Sequence, residues 1–218
     1  MTLDTTLDFV IGWLEITGIA VFAISGALEA SRRQMDAVGF ILIAAMTGIG
    51  GGTVRDLLLG ATPVAWVMSP HIIVIIAVSA VTVFFTAHKF ESRFKILLWA
   101  DAVGLALFCV LGAEKALNAG VSGLSAVLLG VITATFGGIA RDVICNEVPL
   151  ILRREIYATA AATGASAFVL LSMTEIPHAL AVIGAFFCGF TVRALAIIYG
   201  FSLPGYRSKP GRSRLEEN

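Results

Sequence analysis

Charge is scarce in this chain. Asp, Glu, Lys and Arg together make up 14% of 218 residues, and 15 basic residues balance 15 acidic ones. Such a balance leaves no positive field to hold nucleic acid, so no nucleic-acid partner is expected. Histidine and cysteine are few as well. His71, His88 and His178 stand apart from one another, and Cys109, Cys145 and Cys188 follow no metal-ligand spacing, so no protein-held metal site is indicated. The cysteines read as small apolar packers. No Ser-His-Asp, HExxH or paired-carboxylate constellation occurs, which argues against an enzyme and calls for no cofactor. A cationic segment ahead of the first apolar run is also missing. The N-terminus, MTLDTTLD, is acidic, so that run is expected to stay in the mature protein rather than act as a signal peptide.

Apolar residues are abundant, at 58% with a mean hydropathy of +0.92, and they come in long blocks. A soluble α/β core would need helices with a polar face, whereas Ile72 to Ala87 and Ala179 to Val192 are apolar all round. The chain therefore reads as an all-α polytopic membrane protein. Seven spans are predicted, at 10–30, 37–59, 70–88, 96–114, 122–145, 156–174 and 178–200, each near the ~20 residues that a crossing helix needs. They make one transmembrane domain over residues 1–200. The segment 201–218 is rich in Pro, Gly, Ser and charge and reads as a disordered tail. Trp13, Trp66, Trp99, Tyr157 and Tyr199 suit anchoring at the membrane interfaces.

Basic residues set an orientation. With the N-terminus outside, Arg32, Arg33, Lys89, Arg93, Lys95, Arg153, Arg154, Arg207, Lys209, Arg212 and Arg214 all fall on the cytoplasmic side, and Lys115 alone falls outside. Arg55, Arg141 and Arg193 lie within spans. The expectation is a multi-pass inner (plasma) membrane protein with its N-terminus out and its C-terminus in.

The chain also repeats itself. Shifted by 86 residues, Trp13, Gly18, Phe22, Gly26, Gly51, Gly52, Arg55, Asp56 and Pro63 fall on Trp99, Gly104, Phe108, Gly112, Gly137, Gly138, Arg141, Asp142 and Pro149. Repeat one covers about 10–88 and repeat two about 96–174, and the helix at 178–200 has no counterpart. Three spans per repeat is an odd number, so the second copy must enter the membrane from the opposite side, giving an inverted 3+3 arrangement plus one helix. Glu29 and Lys115 occupy matching positions with opposite sign.

Within each repeat the glycines stand out. Gly50, Gly51 and Gly52 in the second span, and Gly137 and Gly138 in the fifth, each cost about 1 kcal/mol of helix propensity relative to Ala. Glycines so placed let a helix kink or unwind and present carbonyls to a cation, or let two helices pack closely; both readings stand. The neighbouring charges add weight to a pathway, because a charge at mid-bilayer costs about 2.5–3.5 kcal/mol and normally faces a bundle interior or wet cavity. Adjacent helical residues point in different directions, so Arg55 and Arg141 are expected to find partners beyond Asp56 and Asp142. Glu15 and Asp101, themselves 86 apart, lie at matching depths. The predicted pairs are Arg55 with Glu15 and Arg141 with Asp101, leaving Asp56 and Asp142 to line or cap a pathway. Two alternatives remain: Asp142 of a neighbouring protomer as the partner of Arg141, and snorkelling of both arginines to phosphate headgroups. Ser25, Thr47, Thr133, Thr135 and Asn146 could add further oxygens.

The run GIGGGT is no nucleotide loop, since it lacks the GxGxxG spacing and the terminal GK[ST]. GGGTVRDLLLG with Pro63, and FGGIARDVICNEVP with Pro149, instead resemble the two signatures of the prokaryotic trimeric intracellular cation (TRIC) channel family, which overlaps bacterial membrane proteins labelled as glycine transporter domain proteins. The resemblance covers residues 10–200. It implies seven helices from an inverted repeat, a homotrimer among membrane lipids, and a potassium-conducting pore in each protomer. It also implies a pore waist at the glycines, no metal beyond transient potassium, and no cofactor. Phe136 stands where the first motif has Gly50, which predicts a stiffer or more occluded second kink. A transporter of glycine or another small zwitterion is the competing reading, with half-helix N-termini holding the carboxylate. A membrane scaffold, its charges only stapling helices, is the third.

Overall fold

A segment that is apolar on every side and cannot borrow hydrogen bonds from water must satisfy its backbone internally, and helices do so. The computed structural model describes residues 3–90, 92–153 and 155–204, with side chains from Ile11 onward. Its helices are α1 (Leu3–Arg32), α2 (Ala37–Leu58), a single turn α3 (Ala65–Met68), α4 (His71–Thr86), α5 (Arg93–Asn118), α6 (Gly123–Ile144), α7 (Ala158–Leu171) and α8 (His178–Tyr199). Short 3-10 turns occupy Ala87–Lys89 and Leu150–Leu152. Among the described residues the strand-like pairing is one isolated antiparallel bridge, Glu155 to Ser202. Arg154 and the basic residues Arg207, Lys209, Arg212 and Arg214 lie outside the described residues, as does most of the predicted tail.

Among the described residues six helices are long and apolar enough to cross a membrane. The protein is therefore a multi-pass membrane protein. The sixth predicted span is the exception: α7 has 14 residues, about 21 Å at the helical rise, short of a ~30 Å hydrocarbon core. It is rich in Ala, and its one glycine, Gly164, comes face to face with Gly189 of α8, so α7 is a closely packed interior helix. Conversely, α5 outruns its predicted span at both ends. Ser92 caps it by accepting the Lys95 N–H at 3.4 Å, and its last polar turn, with Glu114 buried, is sheltered by protein.

Helix α5 is the central and most buried element, packed on α1, α6, α7 and α8, while α2 lies against α1, α4 and α6. The contacts pair positions that are 86 apart. Gly18 of α1 faces the ring of Phe108, Gly104 of α5 faces the ring of Phe22, and the two rings stack at 5.2 Å. Gly26 faces the Thr47 hydroxyl, and Gly112 faces the Thr133 hydroxyl. Helices α2 and α6 end alike. Gly60 and Asn146 take left-handed backbone (φ 67° and 53°), and Ala61 N–H donates to Asp56 C=O as Glu147 N–H does to Asp142 C=O, both at 2.8 Å. This is the Schellman ending, which glycine and asparagine tolerate best.

Of the two readings open for the glycines, unwinding is not seen: helices α2 and α6 run unbroken through them, and Gly51 and Gly137 serve close packing. One expectation fails on the fold. Tyr157 is 1% exposed and anchors nothing at an interface, whereas Trp13 and Tyr199 are open, at 56% and 66%.

Candidate functional site

The two glycine motifs meet where α2 crosses α6. A Cβ on Gly51 would strike the carbonyl oxygen of Thr133, and a Cβ on Gly137 would strike that of Thr47. Cα–H groups therefore lie directly on carbonyls of the opposite helix, the close approach that small residues permit between membrane helices. The hydroxyls of Thr47 and Thr133 turn back to their own helices, donating to Ile43 C=O at 2.7 Å and Leu129 C=O at 2.6 Å. Gly50 and Gly52 are less confined, with nearest neighbours to an added Cβ at 3.5 and 3.7 Å. Phe136 is 39% exposed.

At the end of the bundle where α1 begins, Arg55 bonds its own neighbour. Its Nε and Nη2 donate to Asp56 Oδ1 at 2.9 and 2.8 Å, while Lys115 Nζ reaches the same oxygen at 2.9 Å. Asp56 Oδ2 accepts the Ala65 N–H at 3.2 Å, tying α3 to the end of α2. Glu15 makes no ion pair with Arg55; the two face each other across a cavity of about 200 Å³ that is also lined by Glu114, Lys115 and Asn118. A second, smaller cavity shares Glu15 and Arg55 as walls and reaches Gly48, Gly52 and Thr53 beside the crossing. This end is polar and hollow.

The matching cluster at the opposite end is sealed. Arg141 Nη1 donates to Asp101 Oδ1 at 2.8 Å and to Ser25 Oγ at 2.6 Å, and Arg141 Nε donates to Asp142 Oδ1 at 2.7 Å. Asp142 Oδ2 accepts the Leu150 N–H at 3.0 Å, as Asp56 accepts Ala65. Arg141, Asp101 and Ser25 have no exposure at all. Beneath them, Gly138 leaves a nook walled by Tyr157 Oη, Asp101 Oδ1 and Arg141 Nη2, at 3.1, 3.5 and 3.6 Å from where its Cβ would sit.

The structure thus brings Arg141 to Asp101 and leaves Arg55 apart from Glu15. Neither arginine snorkels, at 3% and 0% exposed. Asp56 and Asp142, expected to be left over for a pathway, have their oxygens occupied. The rule that neighbouring helical side chains diverge holds for Cβ, but the long arginine stem lets its guanidinium fold onto the next residue. Lys115, unexplained by the duplication, proves to be the second cation on Asp56, and its counterpart Glu29 holds Arg32 and Arg33. Thr135 bonds its own helix, and Asn146 serves the helix ending. Sequence reasoning missed Glu114 with His178 (2.9 Å), Tyr157 and Arg193. The signal that could have exposed Arg193 was a charge inside an apolar helix with no acidic residue on its own helix.

Comparison with known proteins follows this geometry. A family model described as "Glycine transporter" matches residues 12–88 and 98–173. The chain is 40% identical over 205 residues to a "UPF0126 membrane protein" of Vibrio cholerae, covering 94% of this chain and 84% of that one. It is 46% identical over 153 residues to the "UPF0126 inner membrane protein YadS" of Escherichia coli, covering 70% and 74%. Among solved structures it resembles the TRIC trimeric intracellular cation channel orthologue from Rhodobacter sphaeroides, with TM-score 0.86 and 50% identity over 88% of this chain and 99% of that one. A prokaryotic TRIC channel crystallised in 0.5 M KCl gives TM-score 0.84 and 32% identity over 89% and 99%.

Proposed function

The chain belongs to the TRIC family of cation channels, and from that premise we propose that it conducts monovalent cations, chiefly potassium, across the inner membrane, with one pathway in each protomer of a homotrimer. The reading takes seven spans, an inverted 3+3 repeat and a further helix, with the pathway running along the crossing of α2 and α6. The observation that carries it is the contrast between the two ends. Cavities lined by Glu15, Glu114 and Arg55 lead to Gly48 and Gly52, and the matching cluster around Arg141 is shut. In this reading the structure is a closed state. Glu15 and Glu114 draw cations into the vestibule. Gly50, Gly51, Gly52, Gly137 and Gly138 act by lacking side chains at the waist. Asp56 and Asp142 act through the arginines they hold.

The carrier reading loses its main support, because α2 and α6 are unbroken and so offer no half-helix N-terminus at mid-depth to a carboxylate. In liposomes loaded with potassium, the purified protein is expected to pass potassium down its gradient and to take up no glycine beyond empty vesicles. Glycine uptake with no potassium flux would reverse the assignment.

The closed end is assigned to the cytoplasm, with the N-terminus outside. Arg32, Arg33 and Arg153 gather there around Glu147. In a background lacking Cys109, Cys145 and Cys188, Arg32→Cys, Lys89→Cys and Arg153→Cys are expected to resist an impermeant thiol reagent on intact cells, while Ala61→Cys and Glu175→Cys react. Labelling at position 32 from outside would invert the topology.

A further inference from the structure

Arg193 lies on α8, outside the duplicated part of the chain, and is fully buried. Its guanidinium touches three consecutive residues of the segment between α6 and α7. Nη2 donates to Glu155 Oε2 at 2.9 Å, Nη1 donates to Ile156 C=O at 3.2 Å, and the carbon of the guanidinium sits 5.0 Å over the ring of Tyr157. The far end of that ring enters the Gly138 nook beside Asp101 and Arg141. Three atoms there lack a well-formed hydrogen bond among the described residues, Tyr157 Oη, Asp101 Oδ2 and Arg141 Nη2, although the phenol already leans on the Asp101 carboxylate; Arg193 Nε is unmet as well.

Buried polar groups normally find partners, so a cluster with three unmet atoms is poised to rearrange. A small movement of the phenol would bring its O–H fully onto Asp101 and compete with Arg141 for that carboxylate. What holds the phenol in place is the cation under its ring, and that cation is fixed to the same short segment by two hydrogen bonds. The connection runs through contiguous contacts from α8 to the Arg141 cluster.

We propose that Arg193 is a positioning residue for the closed end: it sets the seat of Tyr157, and through Tyr157 it sets how firmly Arg141 and Asp101 shut the pathway. The inference rests on the pathway reading above. It gives the unduplicated helix a regulatory part, and it makes the segment Glu155–Tyr157 the linkage.

The test uses the full chain in liposomes, with Arg193→Gln, Tyr157→Phe, the double variant, and Glu155→Gln as a second way to loosen the same anchor from its more exposed side. Arg193→Gln is expected to raise steady potassium flux at least about fivefold, the lower range of an ordinary coupling between sites. Glu155→Gln is expected to act in the same direction, and Arg193→Lys to recover part of the closure. In the Tyr157→Phe background, Arg193→Gln is expected to add less than about twofold. A second readout does not need conduction. Ser25→Cys, in a background without the native cysteines, should resist a small thiol reagent until Arg193→Gln or Glu155→Gln is added. Unchanged flux and unchanged protection at position 25 in both loosened variants overturn the inference, as does an Arg193→Gln effect of equal size with and without the Tyr157 hydroxyl. Absent flux in every protein defeats the pathway reading, and protection at position 25 then decides the inference alone.

Discussion

Gly51→Ala and Gly137→Ala are expected to destabilise the protein strongly, while Gly50→Ala and Gly52→Ala, each one residue from Gly51, leave it intact or slightly firmer. The difference lies in what the new methyl group meets. At Gly51 and Gly137 it meets a carbonyl oxygen of the opposing helix, which cannot rotate aside, so α2 and α6 must separate along their whole contact. Overpacking of this kind costs about 1–3 kcal/mol, and more where backbone is the obstacle. At Gly50 and Gly52 the nearest atoms are at ordinary contact distance, and the gain in helix propensity is about 1 kcal/mol. Melting followed by size exclusion in detergent separates the two classes. Gly12→Ala, with nothing within 4 Å, is the proper control; Gly26→Ala is not, since its methyl group would meet Thr47 Oγ1 at 2.5 Å and Ile43 C=O at 2.7 Å. If Gly51→Ala melts with the parent, the helices do not cross as described.

Arg141→Met is expected to cost far more than Arg55→Met, although the two arginines hold matching positions. Without Arg141, Asp101 is left with no exposure and no cation within ion-pair reach among the described residues. Removing one member of a buried pair typically costs about 3–5 kcal/mol, because the survivor stays uncompensated. Without Arg55, Asp56 keeps Lys115 and the Ala65 N–H, and a cavity beside it admits water. The loss there should stay near 1 kcal/mol. Arg141→Met with Asp101→Leu should recover only part of that loss, since Asp101 no longer needs a cation but Asp142, also buried and bonded to Arg141, is still left without one. Thermal stability of the three proteins measures this, and equal losses for Arg55→Met and Arg141→Met would contradict the asymmetry of the two ends.

Much of this architecture was legible from residues 86 apart. The spacing located the crossing helices, the glycines at their contact and the depth match of Asp101 with Arg141. What stayed hidden depends on reach and on helix packing. Arg55 settles on Asp56 because its stem is long enough to turn, and Lys115 arrives at the same oxygen from the end of α5, which only the three-dimensional arrangement of the helices could reveal. The helical break that the glycines would allow is absent, and Gly51 and Gly137 are used for closeness instead; the sequence signals for closeness and for flexibility are the same residue. The bond from Arg193 to Glu155 joins a unique helix to a connection, so no internal comparison could propose it.

The reciprocity of the Phe22–Phe108 stack, of Gly18 on Phe108 with Gly104 on Phe22, and of Gly51 on Thr133 with Gly137 on Thr47 has the form of an isologous interface, in which one surface meets its own image. Each half of the chain stands to the other as a subunit does to its twin in a dimer, with the tether between them made covalent. A change on that surface must suit its copy, which holds those positions to the same small set of residues. Positions off the axis carry no such bond to their copies, and there the halves have parted company: Ser25 against Leu111, Glu29 against Lys115, Glu15 against Asp101. Within one chain the two mouths can therefore differ while the seam between the halves keeps its symmetry.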